Sequence, residues 1–219
     1  MTAPEPIDLG RVQRECYAAV VSDCCDALGL RAQTLESGIV PLVGEGVLAG
    51  FARPVRSAAV ERAPERHYGR EIDFIDSLLP GDVVMARCTP PAAFWGELFS
   101  AAARGRGSHG AIVDGLVRDR ARVGSVAGFT LFGRGARPTD SLGRISIAEH
   151  DTAVVVGGVT VRRGDLVVAD ADGVVVVPGD VAPEVVDRAL EKASAERSSF
   201  SMLLGGAYLR EVWERHGVL

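Results

Sequence analysis

A chain of 219 residues that is 47% hydrophobic and 24% charged has apolar material for one core, or for two small ones, and is read here as one domain, residues 1–219. Its net charge of −5 argues against nucleic acid as the main ligand, because a surface that tracks a phosphate backbone needs clustered excess positive charge. No apolar run reaches the roughly eighteen residues of a membrane span, and the N-terminus has no basic segment leading into an apolar core, so no membrane role and a cytoplasmic location are expected.

Residues 8–19 read as a helix with Val12, Cys16 and Ala19 or Val20 inward, and Ser22 as the cap of a short second helix ending at Gly29. Ser22 and Asp23 are weak site candidates beside that capping role. Residues 39–42, 47–52 and 55–60 read as strands broken by Gly44, Gly46 and Pro54. A helix over 68–79 is stopped by Pro80-Gly81, and a strand over 82–87 feeds the next helix through Pro90-Pro91.

The stretch 95–119 organises the rest. Residues 94–104 read as a helix with Gly96 in its first turn and Leu98, Ala101 and Ala102 on one face. Gly105, Gly107 and Gly110 supply a sharp return, and residues 111–113 a short buried strand that ends at Asp114-Gly115, with Arg118-Asp119 just outside. Further strands are expected near 129–132 and 154–161. A hairpin pairs 166–169 with 174–177 across Asp172-Gly173, since Asp-Gly between β-branched runs is a strong turn signal. Asp180 is expected to cap a helix that carries Pro183 in its first turn and runs to about residue 197, with a last helix over 207–215.

In open α/β sheets ligand sites gather at the C-terminal ends of strands. An arginine there grips a planar carboxylate with two N–H bonds, and a neighbouring aspartate holds a hard cation that keeps most of its waters. A helix start adds unpaired amides and the positive end of the helix dipole, here at Gly96, Glu97 and Leu98. Such a set suits a 2-oxo acid. An Arg-Asp dipeptide by itself is ordinarily a surface ion pair, and the basic run of Arg104, Arg106, Arg118, Arg120 and Arg122 a helix end plus a solvated face.

A Schiff-base site for a 2-oxo acid needs a desolvated lysine, whereas the one lysine, Lys192, sits beside Glu191 in a helix of exposed pattern. Metal chemistry is favoured, and Mg²⁺ or Mn²⁺ over zinc, since no histidine pair stands at ligand spacing. Cys16, Cys24, Cys25 and Cys88 show neither zinc-site pairing nor disulfide density, and read as buried thiols. Gly105-x-Gly107-x-x-Gly110 follows a helix and precedes a strand, the reverse of a dinucleotide site.

Glu97, the twenty residues 98–117 and then Arg118-Asp119 resemble the signature of the 4-hydroxy-4-methyl-2-oxoglutarate aldolases and the related regulators of ribonuclease activity A. Residues 21–29, 129–144 and 163–178 resemble further blocks of that family in the same order, so the likeness covers roughly four fifths of the chain. Thr130 stands where many relatives have proline, and Glu97 where some have aspartate.

The resemblance implies a β/β/α swivelling-type sandwich of mixed sheets flanked by helices. It implies a homotrimer or dimer of trimers, with residues 181–219 packing at a subunit interface. It implies a metal-dependent aldolase that releases pyruvate from a 4-hydroxy-2-oxo acid through an enolate and also decarboxylates oxaloacetate. Asp119 with Glu97 would hold the metal, Arg118 would hold a substrate oxygen, and the backbone of Gly96, Glu97, Leu98 and Phe99 would bind the other end. Asp114 is a secondary candidate that equally suits a turn; Asp140, Arg144 and a neighbour's Glu196 follow. Substrate preference would lie in residues 89–94 and 132–140, with Phe94 and Trp95 in the pocket or the core. A protein-binding regulator on the same fold, or another enzyme of 2-oxo acid chemistry, are the alternatives.

Overall fold

The computed structural model describes residues 6–88 and 92–217. Its frame is a nine-stranded mixed sheet in the order β1 (Val40–Val43), β6 (Thr130–Ala136), β5 (Gly110–Val117), β3 (Asp82–Arg87), β2 (Leu48–Ala59), β10 (Leu166–Asp170) and β11 (Gly173–Val177); β4 (Ala93–Trp95) adds to β5, and β7 (Ile145–His150) to β2. The central pairs β2·β3, β3·β5 and β5·β6 are parallel, and the margins are antiparallel. A separate hairpin of β8 (Val154–Val156) and β9 (Val159–Val161) turns at Gly157-Gly158, both at positive φ.

Strand alternation sorts the apolar residues into layers. On β3 and β5, Val84, Ala86, Ala111, Val113 and Val117 face one cluster, whereas Val83, Met85 and Ile112 face another that also holds Val167 and Val176 of the far strands and Val154 and Val161 of the hairpin. The sheet therefore curls until one face closes on itself. Each fully buried side chain of this kind contributes about 1.5–3 kcal/mol relative to exposure. The first cluster is roofed by α3 (Gly69–Asp76), α4 (Glu97–Gly105) and α5 (Arg120–Val123). On the outer side of β10 and β11, α1 (Leu9–Glu15), α2 (Ala18–Ala27) and α6 (Ala182–Leu204) pack over Leu166, Val168, Val175 and Val177. The last helix, α7 (Leu209–His216), lies on α6. This is the α/β arrangement of mixed sheet and flanking helices that the sequence implies. No helix among the described residues is long and apolar enough to cross a membrane.

Several elements differ from the sequence-based expectation. Residues 47–52 and 55–60 form the single strand β2 through Pro54. Its antiparallel partner changes there from β10 to β7. The Pro54 carbonyl accepts from Asp151 on that side, so the imino nitrogen faces the handover between partners, where no ladder bond is forfeited. Strand β7 is itself unanticipated.

The first helix ends at Glu15, capped at its start by the Asp8 carboxylate on the Arg11 amide (2.9 Å). Ser22 is interior to α2, whose first amide, Ala18 N, is satisfied instead by Asp170 Oδ2 at 2.7 Å. Likewise α6 starts from Val181 rather than Asp180 and runs on to Leu204. Asp114-Gly115 is mid-strand, because β5 continues to Val117. Thr130 opens β6 with its amide donating to the His109 carbonyl at 2.9 Å, a bond that a proline at this position would forfeit.

Candidate functional site

The site forms where two adjacent strands end under the same helices. Residues 93–95 are strand β4, not the first turn of a helix. They pair with β5, and the Trp95 carbonyl accepts from Arg118 N at 2.8 Å. That bond ties the end of β5 to the start of α4. Gly96 sits between them in extended conformation (φ −158°). A Cβ on Gly96 would stand 2.7 Å from Asp119 Oδ2 and 3.1 Å from Arg118 Cγ, so glycine is what lets the Arg-Asp pair lie against the helix start.

The Gly96 carbonyl accepts from both the amide (3.1 Å) and the hydroxyl (2.9 Å) of Ser100, and Ser100 Oγ in turn accepts from Trp95 Nε1 (2.9 Å). The α4 start is thereby fixed by buried partners. The amides of Glu97, Leu98 and Phe99 precede the first intrahelical bond and carry the positive end of the dipole. Asp119 Oδ2 lies 3.5 Å from Glu97 N, a long contact.

Arg118 meets carboxylates at two points among the described residues: Nε is 3.6 Å from Asp119 Oδ2 and Nη1 is 3.1 Å from Asp140 Oδ1. Tyr68 donates its hydroxyl to the other Asp140 oxygen at 2.5 Å. Burial alone would raise the Asp140 carboxyl, but the Tyr68 hydroxyl, the Arg118 guanidinium and the amides of Ser141 and Leu142 outweigh it and hold its pKa below the usual range. Burial and the same bond push the Tyr68 phenol up, so it stays a donor. Arg144 donates to the Asp140 carbonyl (3.1 Å) and steadies that loop.

Asp119 and Tyr68 are two of the three non-glycine residues at left-handed φ among those described, at 58° and 55°. Both line one cavity of about 570 Å³. Such backbone costs on the order of 1–3 kcal/mol per residue and persists only where surroundings impose it. Gly96, Glu97, Leu98, Phe99 and Arg118 line the same cavity.

Of the expected site residues, Gly96, Glu97, Leu98, Phe99, Arg118 and Asp119 thus line one cavity. The Glu97 carboxylate is engaged by Arg122 Nε at 2.6 Å, which raises the Arg122 pKa further. Arg122, Tyr68 and Ser100 were not anticipated from sequence. Among the described residues no group of three or more His, Cys, Asp or Glu is arranged around a metal position. A cation here would rest on Asp119 and Glu97 and keep most of its waters. Such a carboxylate set suits a hard divalent cation.

Other candidates lie elsewhere. Asp114 is 5% exposed and belongs to no turn. It takes bonds from Arg134 Nε (2.5 Å), Arg87 Nη1 (3.2 Å) and Gly157 N (2.9 Å), not from cavity residues. Lys192 is 2.5 Å from Asp23 Oδ2 and 3.7 Å from Glu196 Oε1 on α6, an ion-paired lysine rather than a desolvated one. Phe94 lines the cavity, whereas Trp95 is core. Residues 89–91, part of the loop expected to set substrate preference, lie outside the described residues. The four cysteines are buried free thiols, as expected.

An uncharacterised protein of Methanocaldococcus jannaschii is 34% identical over 121 residues, a match spanning 55% of this chain and only 57% of that protein's length. A protein of Halalkalibacterium halodurans, provisionally named a 4-hydroxy-4-methyl-2-oxoglutarate aldolase, is 31% identical over 180 residues, 81% of this chain and 80% of its own. The crystal structure of Streptomyces coelicolor RraAS2, described as an unusual member of the RNase ES inhibitor RraA family, superposes with a TM-score of 0.78 at 27% identity, covering 91% of this chain and all of that one. The pattern of the RraA-like (aldolase/RraA) family matches residues 18–176, and the chain belongs to that family.

Proposed function

We propose that the cavity is the active site of a divalent-metal-dependent lyase that cleaves a 4-hydroxy-2-oxo acid to release pyruvate. One observation carries the reading: Arg118, Asp119 and the α4 amides converge on one cavity across a glycine with no room for a side chain. The provisional aldolase name of the H. halodurans relative supports it.

Arg118, aligned by Asp140, pairs with the substrate carboxylate or C2 oxygen, and the amides at the start of α4 hold the other end. Mg²⁺ or Mn²⁺ on Asp119, with Glu97 beside it, would supply Lewis-acid polarisation of the C2 carbonyl. As the C4 hydroxyl gives its proton to a nearby water, the C3–C4 bond breaks, its electron pair forms the C2–C3 double bond and the carbonyl pair moves onto the C2 oxygen, leaving pyruvate enolate and a carbonyl product. Protonation at C3 completes pyruvate. Arg118 stabilises the negative charge that develops on the oxygen, the term expected to dominate the rate. Oxaloacetate loses carbon dioxide through the same enolate and is expected to be a second substrate.

The test is pyruvate release from 4-hydroxy-4-methyl-2-oxoglutarate and from oxaloacetate with Mg²⁺, with EDTA, and with Arg118→Ala and Asp119→Ala. Metal-dependent turnover lost in both variants is expected. A protein-binding regulator is the second reading, favoured by the likeness to RraAS2; it predicts no turnover and no Mg²⁺ binding. Either reading takes residues 1–219 as one domain and the assembly as a homotrimer or dimer of trimers. Phe200, Leu204 and Trp213 are exposed on α6 and α7, and in this reading they would lie at the subunit contact.

A further inference from the structure

Arg122 belongs to the basic run that the sequence presents as a solvated face, and the structure divides that run. Asp119, at left-handed φ, starts the single turn of α5, its carbonyl accepting from the amides of Arg122 and Val123 at 2.8 Å each. The turn sends alternate arginines different ways. Arg120 reaches the Leu42 carbonyl (3.3 Å) and takes no part in the cavity wall, whereas Arg122 is brought to the start of α4 and lines the cavity.

Arg118 and Arg122 are the cationic side chains of that wall among the described residues, and they are unequally committed. Arg118 meets carboxylates at both Nε and Nη1 and is assigned to the 2-oxo acid head. Arg122 spends Nε on Glu97 Oε2 at 2.6 Å, while its Nη1 and Nη2 meet no protein group among the described residues. The Glu97 bond thus steadies the guanidinium and leaves unspent the edge that grips a carboxylate with two parallel N–H bonds. At 71% side-chain exposure the ion pair by itself contributes little to stability. Both acids proposed above as substrates, 4-hydroxy-4-methyl-2-oxoglutarate and oxaloacetate, carry a second carboxylate. The α4 amides orient a carboxylate without neutralising it, and a carboxylate taken out of water needs a cation.

We infer that Arg122 receives the second carboxylate of a dicarboxylic 2-oxo acid on its Nη1 and Nη2 groups while Glu97 holds its Nε. This rests on the lyase reading above. It makes Arg122 the residue that selects dicarboxylic over monocarboxylic substrates, and it gives Glu97 the further task of positioning that arginine.

Two matched acids test this by calorimetry in the presence of Mg²⁺: 2-oxoglutarate, and 5-methyl-2-oxohexanoate, in which an isopropyl group of similar shape replaces the second carboxylate. Neither has the C4 hydroxyl needed for cleavage. Arg122→Gln is expected to lower the affinity for 2-oxoglutarate, relative to the isopropyl acid, by about tenfold or more. Arg120→Gln, which removes an equal charge two residues away, is expected to leave that ratio as it is. A ratio that Arg122→Gln does not change overturns the inference, including the case in which both acids weaken alike because Arg122 acts through Glu97 on the metal. A change in Arg120→Gln as large as that in Arg122→Gln overturns it as well, since the effect would then belong to the general field of the surface. If the ratio is unchanged while the unmodified protein releases pyruvate from 4-hydroxy-4-methyl-2-oxoglutarate, the lyase reading stands and this inference alone falls. If neither acid binds and no pyruvate is released from that diacid or from oxaloacetate, the lyase reading falls and takes this inference with it.

Discussion

The molecule contains two arginine–aspartate clusters of similar composition and opposite character. Arg53 is 3% exposed at the side chain and spends all its donors inside the protein: Nε and Nη2 on Asp151 (2.8 and 3.1 Å), Nη1 on Asp82 (3.0 Å) and the Ser77 carbonyl (3.1 Å), and Nη2 also on Ser77 Oγ (3.1 Å). It also lies 5.7 Å over the Phe74 ring. Arg118 is 35% exposed, faces a cavity, and touches one carboxylate through Nε and another through Nη1. A saturated, buried guanidinium clamps β2, β3 and the end of α3. A partly engaged one beside a cavity is poised for a ligand. Pairing alone does not separate structure from function; saturation and access do.

The comparison is broken most severely at Arg53. Arg53→Met leaves Asp82 without its cation and Asp151 with Arg163, 3.4 Å away, and a loss of about 3–5 kcal/mol is expected, read by urea denaturation. Turnover per folded molecule should be retained. The reverse pattern is expected for Arg118→Ala: a fall in kcat/KM of about 10²–10³, by analogy with removing one donor to a developing oxyanion. Its denaturation midpoint should stay close to that of the unmodified protein.

Gly96→Ala sharpens the contrast further. The extended φ suits any residue, so the backbone tolerates the change, but the new Cβ presses on Asp119 Oδ2 at 2.7 Å. Displacing that pair by a few tenths of an ångström is expected to lower kcat/KM about tenfold or more, since small misplacements are costly in positioned catalysis.

The smallest effect is expected for Tyr68→Phe, a loss of roughly 0.5–1.5 kcal/mol of hydrogen bonding to Asp140. Asp140 is held below the usual carboxylate range, so its ionised form aligns Arg118 above an unfolded pKa of about 3.9 and the alignment is lost as pH falls through the lower folded value. Without Tyr68 that folded value rises toward the ordinary one. The acidic limb of the pH–rate profile should therefore move to higher pH, while its plateau falls only severalfold.

The parts of the site legible in sequence are those that the chain places side by side. Arg118 and Asp119 are neighbours, and Gly96, Glu97, Leu98 and Phe99 are a local helix start. Their meeting across twenty residues follows from a helix, a glycine turn and a returning parallel strand. Tyr68 and Asp140 are 72 residues apart and share no local signal; only the packing of α3 beside the loop after β6 brings them together. The Asp170 cap of α2 is missed for the same reason, being supplied from 152 residues away. The merger of two expected strands through Pro54 depends on which partner faces the missing N–H, a tertiary fact. Asp114 misleads because a carboxylate before glycine suits a turn, whereas here it is buried in mid-strand under Arg134.

The most direct test of the central claim is pyruvate release from 4-hydroxy-2-oxo acids as Mg²⁺ is added and then withdrawn with EDTA, in the unmodified protein and in Asp119→Ala. The account predicts turnover that follows the metal and is lost in Asp119→Ala while the fold is kept. Turnover indifferent to EDTA, or preserved in Asp119→Ala, would contradict it.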